Sequence, residues 1–251
     1  MPKKLKQRTQ HSSISIGLFG KYQSQDATPF QSAHSVNTSP CPPIKEEEAS
    51  RMVDSNKSLL EGIAKLFNNT NYADVKIQIG QYELPAHSVV LASQSAFFQK
   101  ALSEKFQEGN AKQFYFKDDS AHAHWRVFEY MYTGNYTQLP VQLLDTHDDD
   151  ELVKDVRVYV TAEFFMLDNL KQLALGRFRS KLKKLWVSEL LFDCIREIYA
   201  STTPLEVGLR NAVVEVVAAR RNDLWEKVAF QNLLHDGGDF AVDLLGQFCS
   251  G

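Results

Sequence analysis

The sequence predicts an α+β fold: a short β-sheet capped by helices, followed by an all-helical extension and preceded by a disordered tail. Three observations predict it. Residues 75–84 alternate apolar and polar side chains across the pair Gly80-Gln81, the pattern of two half-buried strands joined by a tight turn. From residue 151 onward, apolar residues recur at helical spacing without a break into alternation. Residues 1–55 hold five of the eight prolines, many Ser, Thr and Gln, and few large apolar side chains. Such a composition buries too little surface to offset the entropy of ordering the chain.

The first predicted helix is SLLEGIAKLF, residues 58–67. Ser58 and Glu61 fit a capping box, and Leu59, Leu60, Ile63, Leu66 and Phe67 form its apolar stripe. In the hairpin, Val75, Ile77 and Ile79 face one way, Tyr82 and Leu84 resume the alternation, and Pro85 is expected to end the second strand because it has no N–H to donate. SVVLASQSAFFQKALSEKF is helical with a break near Ser93–Ser95, and QFYF is a short strand with Phe114 and Phe116 on one face. SAHAHWRVFEYMYTG is an amphipathic helix with Val127, Phe128, Met131 and Tyr132 inward and Gly134 as its C-terminal stop.

Beyond it, DTHDDDE (145–151) carries five acidic residues and reads as a solvated loop. Helices are then expected over 151–167, 168–186 and 188–200, the last burying Leu190, Leu191, Cys194, Ile195 and Ile198. Another helix opens with Thr203 as N-cap, Pro204 at the first helical position and Glu206 completing the box. Gly237-Gly238 precedes a final short helix. The expected division is a tail over 1–55, an α+β domain over 56–140 and a helical extension over 141–251, packed on the domain.

Bulk chemistry narrows the function classes. A net charge of −3 argues against a general attraction to nucleic acid or anionic membranes. Cys41, Cys194 and Cys249 are odd in number and widely spaced, which disfavours a disulfide framework or a zinc site and suits a reducing compartment. No apolar run approaches the roughly 18 residues of a membrane span, and the basic N-terminus lacks the apolar core of a secretory signal.

YADVKIQIGQYELPAHSVVLASQSAFFQKAL, FYFKDD and VFEYMYTGNY, in that order, resemble a BTB (POZ) domain. Asp74, Ala86, His87, Val90, Leu91, Ala92, Ser95, Phe98, Tyr130, Tyr132, Thr133 and Gly134 occupy the family's signature positions. VYVTAEFFMLDNLKQLA is similar to the helical pair that follows such domains, and GLRNAVVEVVAARRNDL with GGDFAVDLL is similar to the C-terminal segments of BTB proteins common in filamentous fungi.

The resemblance assigns His87 an architectural role at a strand-to-helix junction, with Asp74 helping to organise that region. No nucleophile motif accompanies His87 as a catalytic base. His122 and His124 are two apart, which on a helix turns them about 200° from each other, so they are expected to be surface histidines rather than metal ligands. RFRSKLKK (177–184) reads as a solvated basic face or, less favourably, a seat for an acidic partner.

Two features point to partners. Phe106-Gln107-Glu108 matches the hydrophobic-x-Glu that many BTB adaptors present to a cullin scaffold, although Phe106 could equally end its helix as a core residue. Leu59, Leu60, Ile63 and Phe67 lie on the helix that commonly exchanges in two-fold BTB dimers, with a wholly intramolecular helix as the alternative. Repressor-type domains usually carry Lys or Arg immediately after the histidine, paired with the aspartate; Ser88 stands here. In the tail, Lys3-Lys4-Leu5-Lys6 is a weak nuclear-import match and Ile44–Glu47 fits a SUMO acceptor.

The resemblance therefore implies a non-enzymatic protein–protein interaction module without cofactor or metal, acting in the nucleus and/or cytoplasm. The concrete expectation is a substrate adaptor for a cullin-RING ubiquitin ligase, with a cullin scaffold, an unknown substrate and a second copy of the chain as partners. The competing expectation is a nuclear regulatory BTB protein that works by dimerisation and partner recruitment. Neither involves direct nucleic-acid or membrane binding.

Overall fold

The computed structural model describes residues 57–103, 112–116 and 120–249. The expected tail with its two short motifs lies outside these residues, as do Phe106, Gln107 and Glu108.

The chain enters on helix α1, residues 57–64. Strands β1 (Val75–Ile79) and β2 (Tyr82–Ala86) pair antiparallel with Ile79 opposite Tyr82, so only Gly80 and Gln81 make the turn. Gly80 takes a φ of 57°, which a glycine adopts without steric cost. Val75, Ile77, Ile79, Leu84 and Ala86 are buried, so the alternation read in the sequence is the inward face of the hairpin.

Pro85 does not end β2: the strand runs on to Ala86, opposite Val75. The sheet order is β2-β1-β3, so β2 is an edge strand, where a missing N–H is tolerated. Strand β3 (Gln113–Phe116) pairs with β1 on the other side, in parallel. A parallel neighbour requires a crossover, and α2 (Ser88–Gln94) and α3 (Ala96–Ala101) lie within it. They are separate helices because Ser95 is extended, at φ −127° and ψ 121°. The Ser95 hydroxyl accepts from Phe98 N–H and donates to the Phe165 carbonyl (2.7 Å), capping one helix and tying it to a residue 70 positions later.

Helix α4 (Ala121–Thr133) is capped by the Ser120 hydroxyl, which accepts from Ala123 N–H, and is stopped by Gly134 at φ 71°. The extension follows as α5 (Val153–Phe164), α6 (Asp168–Leu185), α7 (Leu190–Ser201), α8 (Val207–Ala219), α9 (Arg221–Trp225), α10 (Val228–His235) and α11 (Asp239–Cys249). Leu170, Ala174, Phe178 and Leu182 form the buried stripe of α6. On α7, Leu191, Cys194, Ile195 and Ile198 are buried as expected and Phe192 joins them, whereas Leu190 at the helix start is exposed.

Helix α8 begins at Val207, beyond Thr203 and Pro204. The reason is the fate of Glu206. Its carboxylate accepts from Tyr159 Oη (2.9 Å) and Lys171 Nζ (3.0 Å), and tertiary contacts with α5 and α6 replace the local capping box.

One continuous core joins the sheet unit to the extension. Phe165, at the end of α5, is fully buried and stacks on Phe98 at 5.1 Å, with Phe116 and Phe128 also against it. Burying an aromatic of this size contributes roughly 2–3 kcal/mol, so α5 is bound into the core of the sheet unit. The chain reverses after α5 at Met166 (φ 57°), where Leu167 N–H returns to the Ala162 carbonyl in a Schellman-type closure.

Candidate functional site: buried polar centres and exposed faces

The strand-to-helix junction after β2 delivers His87 into the interior, where it is 3% exposed. Its Nε2 lies 2.8 Å from the Asn71 carbonyl, so Nε2 carries the proton and donates. Its Nδ1 then accepts from Tyr132 Oη at 2.9 Å. The same Tyr132 oxygen accepts the His87 backbone N–H, also at 2.9 Å. Burial pushes the Tyr132 hydroxyl up to about 12, helped by the negative charge of Asp74 and opposed by the His87 N–H. Both imidazole nitrogens are spent inside the fold, which leaves no lone pair for a metal or a substrate proton.

Asp74 stands at the mouth of this junction. Its carboxylate accepts from Ser88 N–H (2.8 Å), from Ser88 Oγ (2.7 Å) and from Lys112 Nζ (2.8 Å). Partial burial alone would raise its pKa, but the Lys112 and Ser88 donors outweigh it and hold the group at about 2. The positive charge absent at position 88 is thus supplied by Lys112, immediately before β3. Sequence reading missed this partner because it is 38 residues away.

The acidic run 145–151 is not simply a solvated loop. Arg126 sits on α4 between Trp125 and Val127 with its side chain fully buried. Its Nη2 is 2.7 Å from both oxygens of Asp148, and its Nε donates to the Thr137 carbonyl (3.0 Å). Lys154 Nζ closes on Asp148 at 3.1 Å. Arg157 reaches Asp149 at 2.6 Å and grips Glu197 of α7 with two nitrogens. Burial would raise Asp148, but Arg126 and Lys154 hold it below the usual carboxylate range.

Asp155 is fully buried alongside, accepting from Tyr136 Oη (2.7 Å) and paired with Lys181 at 2.8 Å. Burial and the Asp155 charge push the Tyr136 hydroxyl strongly upward. The sequence signal for this centre was available: an arginine on the inward side of an apolar helix requires carboxylates, and a run of acids is the nearest supply.

His122 and His124 are not surface residues either; each is 2% exposed. His122 Nε2 meets the Thr146 carbonyl at 3.0 Å, with Nδ1 3.5 Å from Asp148. The His124 ring stacks on Phe116 at 4.7 Å. The acidic loop covers His122, while the His124 ring is buried against Phe116 and Phe165. Among the described residues no group of three or more His, Cys, Asp or Glu is arranged to hold a metal ion, and no helix is long and apolar enough to cross a membrane. In the basic stretch, Lys181 turns to Asp155 and Glu151, and Arg177 lies over the Tyr136 ring at 3.9 Å. The chain's own acids and an aromatic ring thus take up part of that face.

The four residues of α1 and its exit that the sequence marks as a partner face divide. Leu59 and Leu60 on α1 are each more than 60% exposed. Ile63 and Phe67 pack against the chain's own core, Phe67 edge-on to Trp125 at 5.1 Å. The helix therefore presents two leucines outward while its second half anchors it.

A three-stranded sheet with short helices, polar centres turned inward and apolar side chains exposed on α1 suits an interaction module. A family model described as the BTB/POZ domain matches residues 63–174. The chain carries a BTB/POZ domain, and such domains are generally non-enzymatic modules for protein–protein interaction and dimerisation. The match runs through α5 and into α6. Among solved structures, the chain is similar to the BTB domain of zebrafish PATZ1, at 17% identity over 53% of this chain and 94% of that one, with a TM-score of 0.35. It is also similar to the BTB domain of human Gigaxonin, at 16% identity over 58% and 96% of the two chains, with a TM-score of 0.31. No curated protein matches the chain.

Proposed function

We propose that the protein is a substrate adaptor of a cullin-RING ubiquitin ligase, acting in the nucleus or cytoplasm. In this reading Phe106 and Glu108 engage the scaffold, Leu59 and Leu60 of α1 bring two copies together with Ile63 and Phe67 as the anchor, and the extension holds the substrate. The adaptor does no chemistry; it raises the local concentration of substrate at the ligase. The observation that carries the reading is the sequence Phe106-Gln107-Glu108 following the third helix of a BTB domain, a hydrophobe beside a carboxylate that forms a reasonable hot-spot pair.

The test is a pull-down of the tagged full chain beside a Phe106→Ala, Glu108→Ala double variant, read by mass spectrometry, with circular dichroism as the folding control. A cullin recovered with the parent and lost with the folded variant is the expected result. No cullin with either protein sinks the proposal.

A second reading, a nuclear regulatory protein that recruits partners as a dimer without a ligase, is favoured by one observation. Lys112 restores to Asp74 the positive charge that Ser88 does not provide, and a charged pair at that place is what repressor-type domains carry. Chromatin factors in the same pull-down, without a cullin, would select it.

A further inference from the structure

The extension contains an open apolar cleft of about 460 Å³ between α9, α10 and α11. Its floor and walls are Trp225, Phe230, Leu234, Leu244, Leu245 and Phe248. Phe230 and Leu244 are buried beneath, while Trp225, Leu245 and Phe248 are 56%, 64% and 47% exposed. An exposed aromatic and apolar patch of this kind marks an interaction site more often than a solvated surface. The volume accommodates a few large apolar side chains.

The lip decides what fits. Arg221 and Asn222 line it. Arg221 is one turn before Trp225 on α9 and so shares its face. Among the described residues, Arg221 meets the Ala218 carbonyl (3.1 Å) and the Phe248 ring (5.7 Å), but no carboxylate. Arg126, Arg157, Arg196 and Arg210 each have one, whereas Arg177 and Arg220 rest on aromatic rings away from the cleft. The Asn222 amide makes no hydrogen bond among the described residues. Asp223, two residues after Arg221, points about 200° away around the helix and leaves the guanidinium unneutralised.

A lone cation and an amide beside an apolar cleft match a peptide that carries both apolar side chains and a carboxylate. An anionic membrane is a poor match, since it is drawn by clusters of Lys and Arg and a single arginine is the only charged residue that lines the cleft among the described residues.

We propose that this cleft is a docking site for an acidic, amphipathic peptide segment of a partner protein, with two or three large apolar side chains in the cleft and an Asp or Glu on Arg221. The inference deepens the adaptor reading by locating the substrate seat, and it rests on that reading only for the word substrate. Binding at the cleft needs no cullin, so either claim can fail without the other.

The test uses the full chain. A display library of random 14-residue peptides is selected on it, and enriched peptides are measured by fluorescence anisotropy against the parent, Trp225→Ala and Arg221→Glu. Both positions are exposed, so the variants should fold, which circular dichroism verifies. Enriched peptides should combine large apolar residues with Asp or Glu, and Trp225→Ala should weaken them at least about tenfold, as loss of an aromatic anchor does. Arg221→Glu should weaken them by a similar factor, and rising salt should weaken the parent complex but not the variant's.

Failure to enrich any peptide, enrichment of basic peptides, or binding indifferent to both substitutions overturns the proposal. So does sedimentation showing self-association that Trp225→Ala abolishes, which would give the cleft to a second copy.

Discussion

His87 and Arg126 are both buried polar residues of the BTB unit, 3% and 0% exposed, yet they solve burial in opposite ways. His87 is met by neutral groups, a backbone carbonyl and a phenol, each placed so that every donor has an acceptor. Arg126 is met by charge: Asp148 directly, Asp149 at 3.6 Å, and Lys154 sharing Asp148. The first arrangement lies where β2 passes into α2 and concerns the sheet unit alone. The second draws in residues 148–157 and, through Arg157 and Glu197, helix α7 of the extension. The sheet unit is thus internally finished by hydrogen bonds, and its union with the extension is fixed by ions as well as by Phe165. A neutral centre is forgiving when one bond is lost, whereas an ionic one leaves a desolvated charge behind.

The sharpest way to break this contrast is Arg126→Met. The substitution keeps most of the apolar volume and removes the cation, leaving Asp148 and Asp149 largely out of water. A loss of about 3–5 kcal/mol is expected, measured by urea denaturation. A loss below about 1 kcal/mol would mean that Lys154 and Arg157 suffice, and the distinction between the two centres would collapse. The next effect is Tyr132→Phe, which keeps the ring against Phe67 and His87 but deletes the hydroxyl. The His87 backbone N–H and Nδ1 then lose their shared partner, at a cost of about 1–3 kcal/mol. Amide hydrogen exchange at His87 should accelerate in step. Unchanged exchange would show that another group had taken the hydroxyl's place.

The same contrast explains what the sequence disclosed. Periodicity is local, so the hairpin from Val75 to Leu84 and the inward face Val127, Phe128, Met131 and Tyr132 were legible residue by residue. The histidine centre was legible in outline, because a lone histidine between a proline and a helix, in the family's register, needs partners; Tyr132 was already placed inward, though not as the partner. The ionic centre was legible only by half: Arg126 on an apolar helix asked for carboxylates, but nothing local marked which acids would be buried with it. Asp148 and Asp149 read as hydrophilic until Arg126 closes on them, and their burial is a property of the assembled fold. Glu206 failed in the same way: a capping-box glutamate by spacing, it is claimed instead by Tyr159 and Lys171. Local rules failed where a distant charge competed, and also at Pro85, where an edge strand runs on to Ala86.

The smallest expected effect concerns the third arrangement, Asp74, which is ionic but partly exposed. Its folded pKa of about 2 lies below the ordinary 3.8, so its contribution is complete above about pH 4 and fades as pH falls from there toward 2. Screening by solvent at a side chain 39% exposed keeps that contribution small, below about 1 kcal/mol. Asp148 is also held low and titrates in the same acid limb, so the parent curve alone cannot isolate Asp74. The difference between parent and Asp74→Asn stability, measured by urea denaturation between pH 2 and pH 6, can. It should be flat above about pH 4 and shrink below it. Lys112→Met should reduce the same difference while leaving His87 and Tyr132 in place. A difference that grows on acidification would mean that burial, the largest single influence on Asp74, outweighs Ser88 and Lys112, and that the carboxyl is protonated more readily in the fold than out of it.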